Sequence, residues 1–270
     1  MNTDTIKVSG IVLSVSPVGE TDRRMTILTR EEGRVSVFAQ GASRARSRFA
    51  AVTRPFVTGT FELRQRSDSF SLAGADVIDY FDHFSQDYDR LAYGAYFLEL
   101  AGWFSAEGLP DASLIDLLYL ALKALEKEKV PVPLVRLIYE FSLFRIEGEY
   151  PQVFTCRNCG KPLKEGWFGM SERSAVCTEC VEKSRAEGRS LKLPQDIHLS
   201  PAAVYALQYI YSAKPQALFS FRLSEEVFSE VEKLRRRWKN RLITHKFKSE
   251  ALLPGENETP FKFLTERGCS

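Results

Sequence analysis

The amino-acid sequence predicts an α+β protein of several domains, in which a small N-terminal β-barrel is followed by an α-helical domain. Two observations indicate this class. Five short segments with β character occupy the first eighty residues, and beyond Asp79 the apolar residues recur at nearly every fourth position instead of every second. A third observation, two Cys-x-x-Cys pairs within the helical part, predicts an inserted metal-binding module.

The five β segments are rich in β-branched and aromatic residues and are separated by turn-forming or polar sequences. They are residues 6–16, 24–29, 34–39, 56–64 and 70–78. Glu31-Glu32-Gly33 predicts a hairpin turn between the second and third strands. Five antiparallel strands in about eighty residues fit an OB-fold barrel. An SH3-like barrel or a fragment of a β-sandwich would give a similar pattern.

Five helices are predicted in the remainder of the chain, over residues 87–106, 113–127, 134–146, 200–212 and 225–247. Ser113 and Asp116 resemble a capping box, and Ser200-Pro201 is typical of a helix start. The expected domains are an OB-fold nucleic-acid-binding domain (1–80), the two parts of a helical domain (81–152 and 188–250), the cysteine module between them (153–187) and a flexible tail (251–270).

The cysteine pairs are Cys156 with Cys159 and Cys177 with Cys180, and seventeen residues lie between the pairs. This spacing fits two facing turns that close a tetrahedral thiolate site. Four thiolates leave no open position for a catalytic water, so we expect one structural Zn²⁺ per chain. Two disulfides or a chance cluster are the alternatives. Disulfides require an oxidising compartment, and residues 1–10 lack an export signal, so a cytoplasmic location is expected.

The composition, with 44% hydrophobic and 27% charged residues, is ordinary for a soluble globular protein. The motifs G-x-x-x-x-G-K-[ST], G-x-G-x-x-G and H-E-x-x-H are absent from the sequence. The three histidines are far apart, and no spaced set of carboxylates suggests a metal-dependent nuclease. We therefore predict a binding protein and not an enzyme, with no catalytic residues.

A net charge of +2 conceals two basic regions. Residues 41–66 contain six arginines and one acid. Three of these arginines alternate with small residues and can bind phosphate oxygens. The predicted DNA-binding residues are Arg34, Arg44, Arg46, Arg48, Arg64 and Arg66. A solvated loop is an equally good interpretation of the alternating run. Phe38 and Phe49 are possible base-stacking platforms, although Phe38 also suits the barrel core.

The second basic region, residues 233–248, contains eight basic residues and no acid. It lies on the last predicted helix, where five apolar residues form one stripe at about 100° per residue. They are Val227, Val231, Leu234, Trp238 and Leu242. The stripe is predicted to be core, and the basic residues spread over the remaining circumference. A solvated helix surface is the preferred interpretation, with a nucleic-acid or acidic-peptide surface as the alternative.

Several stretches resemble the bacterial RecO family of recombinational repair proteins. They are residues 31–44 (EEGRVSVFAQGASR) with Ser47-Arg48-Phe49 after them, residues 88–93 (YDRLAY) and the cysteine module inserted among the helices. The resemblance extends over nearly the whole chain, from about residue 7 to residue 247. Some members of that family lack the complete cysteine set, which favours a structural role for zinc.

The resemblance implies a recombination mediator that binds single- and double-stranded DNA and anneals complementary strands without nucleotide hydrolysis. It implies action with RecR, and often RecF, in loading RecA onto DNA coated by single-stranded DNA-binding protein. The acidic C-terminal tail of that coating protein is implied as a ligand of the helical domain. The family's basic loop corresponds to Arg44, Arg46 and Arg48, with Arg34 on the preceding strand. A nucleoid-associated cytoplasmic location is implied as well.

Two other functions fit the residues. A zinc-ribbon and OB-fold protein of transcription or translation would bind RNA through the same barrel. An adaptor that acts only through protein contacts would bind DNA too weakly to matter at physiological salt.

Overall fold

The computed structural model describes residues 5–66, 69–127, 129–188 and 197–254. Its contacts divide the chain into two compact units. Unit 1 comprises Met1–Glu128 and Phe247–Pro254, and unit 2 comprises Lys129–Lys246. The predicted domain boundaries at residues 80, 152, 187 and 250 stay predictions; the contacts group the two helices after the barrel with the barrel itself. The predicted tail lies outside the described residues from residue 255 onwards.

Five strands of unit 1 form a closed barrel in the order β1-β2-β3-β5-β4, with β4 paired back to β1. The strands are β1 (Thr5–Val18), β2 (Asp22–Thr29), β3 (Gly33–Ala39), β4 (Thr58–Gln65) and β5 (Phe70–Asp79). Every pairing is antiparallel except that of β3 with β5. The predicted OB-like barrel is confirmed, and each strand overlaps its predicted segment.

The turn between β2 and β3 depends on the glycine of the predicted hairpin. Gly33 has a φ of 65°, and a Cβ atom there would lie 2.4 Å from the carbonyl oxygen of Leu109. The hydroxyl of Thr29 donates to the Gly33 carbonyl oxygen and accepts from the N–H of Glu32, at 2.8 and 3.0 Å. Only a residue without a side chain fits this position.

The segment between β3 and β4 is folded against the start of β2. The N–H of Gly41 donates to Asp22 Oδ1 at 2.7 Å, and this bond lowers the pKa of the Asp22 carboxyl. Arg23 donates from Nη1 to both the carbonyl oxygen and the hydroxyl of Thr53, each at 3.0 Å. Ala42 is buried as well. The arginine-rich segment is therefore held at both ends and is not a loose loop.

Unit 1 also contains α1 (Tyr88–Phe104) and α2 (Ala112–Glu126). The predicted capping box at Ser113 is wrong, because the side chain of Asp111 accepts the hydrogen bond from the N–H of Leu114 at 3.0 Å. A carboxylate is an equally good N-cap, and here it starts the helix two residues earlier.

The described residues of unit 2 form four α-helices and a small sheet of order β7-β6-β8. The helices are α3 (Val132–Ile146), α4 (Thr178–Ala186), α5 (Pro201–Ser212) and α6 (Glu225–Leu242). The strands are β6 (Gly166–Gly169), β7 (Ser174–Cys177) and β8 (Ile197–Leu199). The predicted cap at Ser200 is confirmed. None of the described helices is long and apolar enough to cross a bilayer.

The prediction for α6 needs two corrections. The helix ends at Leu242 and not near residue 247, because Ile243 is extended, with a φ of −123°. The central part of its apolar stripe is buried as predicted. However, Arg235 and Lys239 are buried too, with exposed fractions of 0% and 5%. Arg235 donates from Nη1 to Glu140 Oε2 of α3 at 2.5 Å, so an acidic partner accounts for this buried charge.

Candidate nucleic-acid surface and metal centre

Pairing between strands aligns four residues across the outside of the barrel. Arg24 of β2 pairs with Phe38 of β3, Phe38 is aligned with Ser71 of β5, and Ser71 pairs with Arg64 of β4. Paired residues project to the same face of a sheet. Their chain neighbours Met25, Val37, Leu63 and Leu72 are all in the barrel core. The four side chains therefore form one row on the outer surface.

Phe38 lies in the middle of this row and is half-buried. The Arg24 guanidinium carbon lies 4.5 Å from the centroid of the Phe38 ring, a cation–π contact. The structure thus places Phe38 outside the core. Arg24 is an additional basic residue that the sequence did not point to, because it lies in β2, ahead of the arginine-rich segment.

Two further arginines lie beside the row. Arg66 donates from Nε to the hydroxyl of Ser71 at 3.0 Å. Arg48 donates from Nη2 to the carbonyl oxygen of Ala73 at 3.1 Å, and its guanidinium carbon lies 4.6 Å from the Phe49 ring centroid. The sequence-predicted residues Arg48, Arg64 and Arg66 are thus brought together around β5. We call the surface formed by Arg24, Phe38, Arg48, Arg64 and Arg66 the arginine face.

Arg44 and Arg46 are exposed in the folded segment after β3. The N–H of Arg44 donates to the Gly41 carbonyl oxygen at 3.2 Å, which closes a tight turn. The Arg44 side chain contributes to the low pKa of the Asp22 carboxyl, after the N–H of Gly41 and the hydroxyl of Thr21. Both arginines are open to solvent and can reach an external anion.

Arg34 is placed differently from the other predicted residues. Its side chain is half-buried, and Nη1 donates to the carbonyl oxygen of Gly102 in α1 at 2.6 Å. It lies four residues along β3 from Phe38 and is not brought to the arginine face. Its predicted DNA contact stays a prediction, and its hydrogen bond favours a structural role.

Three other basic residues around the barrel form ion pairs with carboxylates. Lys7 pairs with Glu62 at 2.9 Å, Arg54 pairs with Asp82 at 3.1 Å, and Arg30 pairs with Asp116. Within the described part of the chain, Arg24, Arg46 and Arg64 form no ion pair. The arginine face and the neighbouring loop therefore carry positive charge that these carboxylates do not compensate, as a surface for anions requires.

A second basic surface lies on α6 in unit 2. Lys233, Arg236 and Arg237 are exposed and, with His198 and Glu230, line a polar cavity of about 420 Å³. The Glu230 carboxylate accepts a hydrogen bond from the N–H of Ser200 at 2.9 Å. This surface contains three of the exposed basic residues in the region 233–248.

The four predicted cysteine ligands converge in unit 2. All four Sγ atoms lie within 4.8 Å of one another, and those of Cys159 and Cys177 are 3.9 Å apart. Thiolates arranged tetrahedrally around zinc at 2.3 Å are about 3.8 Å apart. Gly160, with a φ of 71°, closes the turn after the first pair. The residues therefore fit a tetrahedral metal ion held by Cys156, Cys159, Cys177 and Cys180.

Backbone N–H groups support the cysteine cluster. Burial acts to raise the pKa of the Cys156 thiol, but N–H groups of Cys177, Cys159 and Asn158 outweigh it and lower the pKa to about 6. The pKa of Cys177 is raised, chiefly by burial, so the N–H groups favour the thiolate at Cys156 in particular. The N–H of Cys177 lies 3.3 Å from Cys156 Sγ. Hydrogen bonds of this kind stabilise a thiolate, the form of cysteine that binds metals.

Comparison with known proteins matches both parts of the chain to one family. The model "Recombination protein O N terminal" matches residues 1–81, and "Recombination protein O C terminal" matches residues 85–251. Relatives named DNA repair protein RecO include that of Acetivibrio thermocellus, 31% identical over 86% of this chain and 90% of the relative. The relative from Bacillus pumilus is 30% identical over 76% of this chain and 77% of the relative. The relative from Anaeromyxobacter dehalogenans is 36% identical over 66% of this chain and 71% of the relative.

Proposed function

This chain belongs to the RecO family of DNA repair proteins, and we propose that it is a DNA-binding recombination mediator that anneals complementary single strands without nucleotide hydrolysis. The observation that carries this proposal is the arginine face, where uncompensated guanidinium groups surround an outward-facing aromatic ring. We assign the DNA backbone to this face and to Arg44 and Arg46 beside it. The protein then acts by binding, and no bond in the DNA is broken.

The physical basis of annealing fits such a surface. Pairing of complementary strands is favourable once they meet, and the mutual repulsion of their phosphates is the barrier. Guanidinium groups bind phosphate oxygens through charge-assisted hydrogen bonds and release counterions. Binding of this kind neutralises the strands and is largely independent of base sequence. A protein that holds strands through phosphates therefore accelerates pairing without ATP.

Family membership supports the choice of partners. We propose that the chain acts with RecR, and with RecF where present, to load RecA onto DNA coated by single-stranded DNA-binding protein. The acidic tail of that coating protein is proposed to bind the helical part of the chain. A nucleoid-associated cytoplasmic location follows from these partners.

We assign one structural Zn²⁺ to Cys156, Cys159, Cys177 and Cys180. The separation of the sulfur atoms supports this assignment, because four thiolates at tetrahedral spacing suit zinc and leave no position for a water ligand. The metal would join the turn before β6 to the end of β7 and the start of α4. Its contribution is to the folding of unit 2 and not to a reaction.

The test is annealing of two complementary labelled oligonucleotides, without nucleotide, at several salt concentrations. The parent chain is compared with an Arg44/Arg46/Arg48→Ala variant. The matched control, Lys164/Arg185/Lys214→Ala, removes the same charge from exposed positions of unit 2. We expect fast, salt-sensitive annealing that the control retains and the loop variant loses.

Annealing retained by the Arg44/Arg46/Arg48→Ala variant would overturn the assignment of DNA to these three residues. Annealing retained by an Arg24/Arg64/Arg66→Gln variant as well would overturn the assignment of DNA to the barrel and favour the basic surface of α6. Absence of annealing by the parent would overturn the proposed activity. Binding to structured RNA in preference to single-stranded DNA would then favour the RNA-binding function.

A further inference from the structure

We propose that Phe38 and Arg24 form a base-stacking subsite that selects single-stranded DNA. An unpaired nucleobase replaces the Arg24 guanidinium on the Phe38 ring, and Arg24 turns to bind a neighbouring phosphate. This inference rests on the proposed DNA binding at the arginine face, and it explains how that face distinguishes single-stranded from duplex DNA.

The Phe38 ring is well placed to act as a platform. It projects from the outer surface of β3, between the buried residues Val37 and Ala39. Backbone pairing fixes β3 on both sides, to β2 along seven residues and to β5 at Val37 and Phe38. The ring is therefore carried by a part of the strand that has little freedom to move.

Other aromatic rings near the barrel arginines differ from Phe38. Phe49 packs against the barrel core, and its arginine, Arg48, also donates to a backbone carbonyl oxygen. The ring of Tyr80 lies 5.3 Å from the guanidinium of Arg54, which pairs with Asp82. In both places the guanidinium has another partner that holds it.

No described residue holds the Arg24 guanidinium in this way. Arg24 is exposed, and within the described residues it makes neither a hydrogen bond nor an ion pair through its side chain. The Arg24 side chain instead contacts the Phe38 ring. A cation–π contact at an exposed site is weaker than the stacking of a base on an aromatic side chain. The exchange is favourable because the displaced guanidinium gains a phosphate.

The rest of the row provides the adjoining phosphate contacts. Arg64 lies on β4, two strands away from Phe38. Because neighbouring strands are about 4.8 Å apart, the two residues are separated by roughly 10 Å. Arg66 is hydrogen-bonded to Ser71, between Phe38 and Arg64 in the row. A single strand crossing β2, β3, β5 and β4 would thus meet Arg24, the ring and then two more arginines. Bases in a duplex are stacked on each other, so a duplex offers only its phosphates.

The test compares binding of an oligothymidine with binding of an abasic oligonucleotide of equal length and charge, at one low salt concentration. Phe38→Leu is expected to weaken binding of oligothymidine by roughly five- to a hundredfold, the range for loss of one stacked base. Binding of the abasic strand and of duplex DNA should change less than twofold. Phe38→Tyr retains the ring and should bind all three as the parent does.

Tyr80→Leu is the matched control, because it removes an aromatic ring whose arginine is held by Asp82. We expect it to leave binding of all three ligands unchanged. The thermal unfolding of Phe38→Leu is measured first, to establish that the variant is folded. Phe38→Tyr keeps the aromatic ring and is compared with the parent in the same binding measurements.

Two results would overturn the inference. Equal loss of oligothymidine and abasic binding in Phe38→Leu would mean that the ring only supports phosphate-binding residues. Unchanged binding of oligothymidine would mean that no base contacts the ring. If the parent chain bound neither single strand, the proposed function itself would fail, a result distinct from both.

Discussion

Nη1 of Arg34 donates a hydrogen bond of 2.6 Å to the carbonyl oxygen of Gly102 in the last turn of α1. The backbone N–H of Arg34 also donates, to the carbonyl oxygen of Ala106 at 3.0 Å. Carbonyl groups in the last turn of a helix lack partners within the helix, and the helix dipole favours a cation there. Arg34 therefore joins β3 to the C-terminal end of α1.

Replacement of Arg34 by Met should lower stability and leave DNA binding intact. A hydrogen bond from a charged group contributes about 1.5–3 kcal/mol, and Met retains most of the apolar stem. The measurements are urea unfolding and affinity for a single-stranded oligonucleotide, beside Arg46→Met as the matched variant. Because Arg46 is exposed, Arg46→Met should keep the stability of the parent and bind the oligonucleotide more weakly. A weaker affinity with normal stability for Arg34→Met would instead make Arg34 a DNA contact.

Arg34 and Arg24 illustrate the limit of what could be predicted from the sequence. The β segments were predictable, because alternation in strands is a local property. Alternation also places Arg34 and Phe38 on one side of β3. Which part of that side is covered by α1, and which residue of β2 lies beside Phe38, depends on pairing and packing between distant segments. The sequence therefore predicted Arg48, Arg64 and Arg66 of the arginine face, but neither Arg24 nor the different placement of Arg34.

The cluster of four cysteines was more predictable than the last helix. The spacing of the four cysteines itself specifies the geometry of the ligands. By contrast, burial of Arg235 depends on Glu140, which lies 95 residues earlier in the sequence. The end of α6 was also not readable, because the residues after Leu242 continue its basic composition.

Glu140 is a completely buried carboxylate that contacts two guanidinium groups of unit 2. Arg235 donates to it at 2.5 Å and Arg136 at 2.7 Å. Burial acts to raise the pKa of Glu140, but Arg235 and Arg136 outweigh it and lower the pKa from 4.5 to about 2. Because the folded pKa is the lower one, the carboxylate's contribution to stability is present above about pH 5. It is lost as the pH falls towards 2.

Glu140→Gln should reduce the free energy of unfolding by about 3–5 kcal/mol at neutral pH, because two buried cations lose their counter-charge. The loss of stability between pH 5 and 2 should also become shallower than in the parent. Urea unfolding across this pH range provides both measurements. Glu182→Gln makes the same change at an exposed position of α4. It should alter neither the free energy of unfolding at neutral pH nor its dependence on pH. Equal stability of the two variants would contradict this account.

Removal of the metal should destabilise unit 2 and leave DNA binding by the barrel unchanged. Elemental analysis of the purified chain is expected to give one zinc per chain. Cys156→Ser and Cys177→Ser should each lose the metal and unfold at a lower temperature, since binding of a structural metal contributes to folding. Cys269→Ser, which replaces the fifth cysteine of the chain, should retain the metal. Full stability without metal would rule out a structural role.

Residues 247–254 return to unit 1 and pack on α1. The ring centroid of Phe247 lies 5.9 Å from that of Tyr96 and 6.0 Å from that of Trp103. The backbone N–H groups of Lys248 and Ser249 donate to the Glu99 carboxylate at 3.1 and 2.9 Å. This short segment follows unit 2 in the sequence but belongs to unit 1.

Phe247→Ala should therefore lower the free energy of unfolding by about 3–5 kcal/mol, the usual cost of removing a buried ring. Thermal and urea unfolding provide the measurement. Leu252→Ala, in the same segment but 48% exposed, serves as the control and should cost much less. Similar effects of the two substitutions would mean that the segment is not anchored by Phe247.

The arginine face is proposed to bind the phosphates of a single DNA strand. The most direct measurement is the dependence of affinity for oligothymidine on salt concentration. Contacts to four or five phosphates predict a log–log slope of roughly −3, at about 0.7 per phosphate. Arg24/Arg64/Arg66→Gln should reduce the slope to roughly −1, whereas Lys164/Arg185/Lys214→Gln should leave it unchanged. A flat salt response of the parent, or an unchanged slope in the arginine-face variant, would contradict the account.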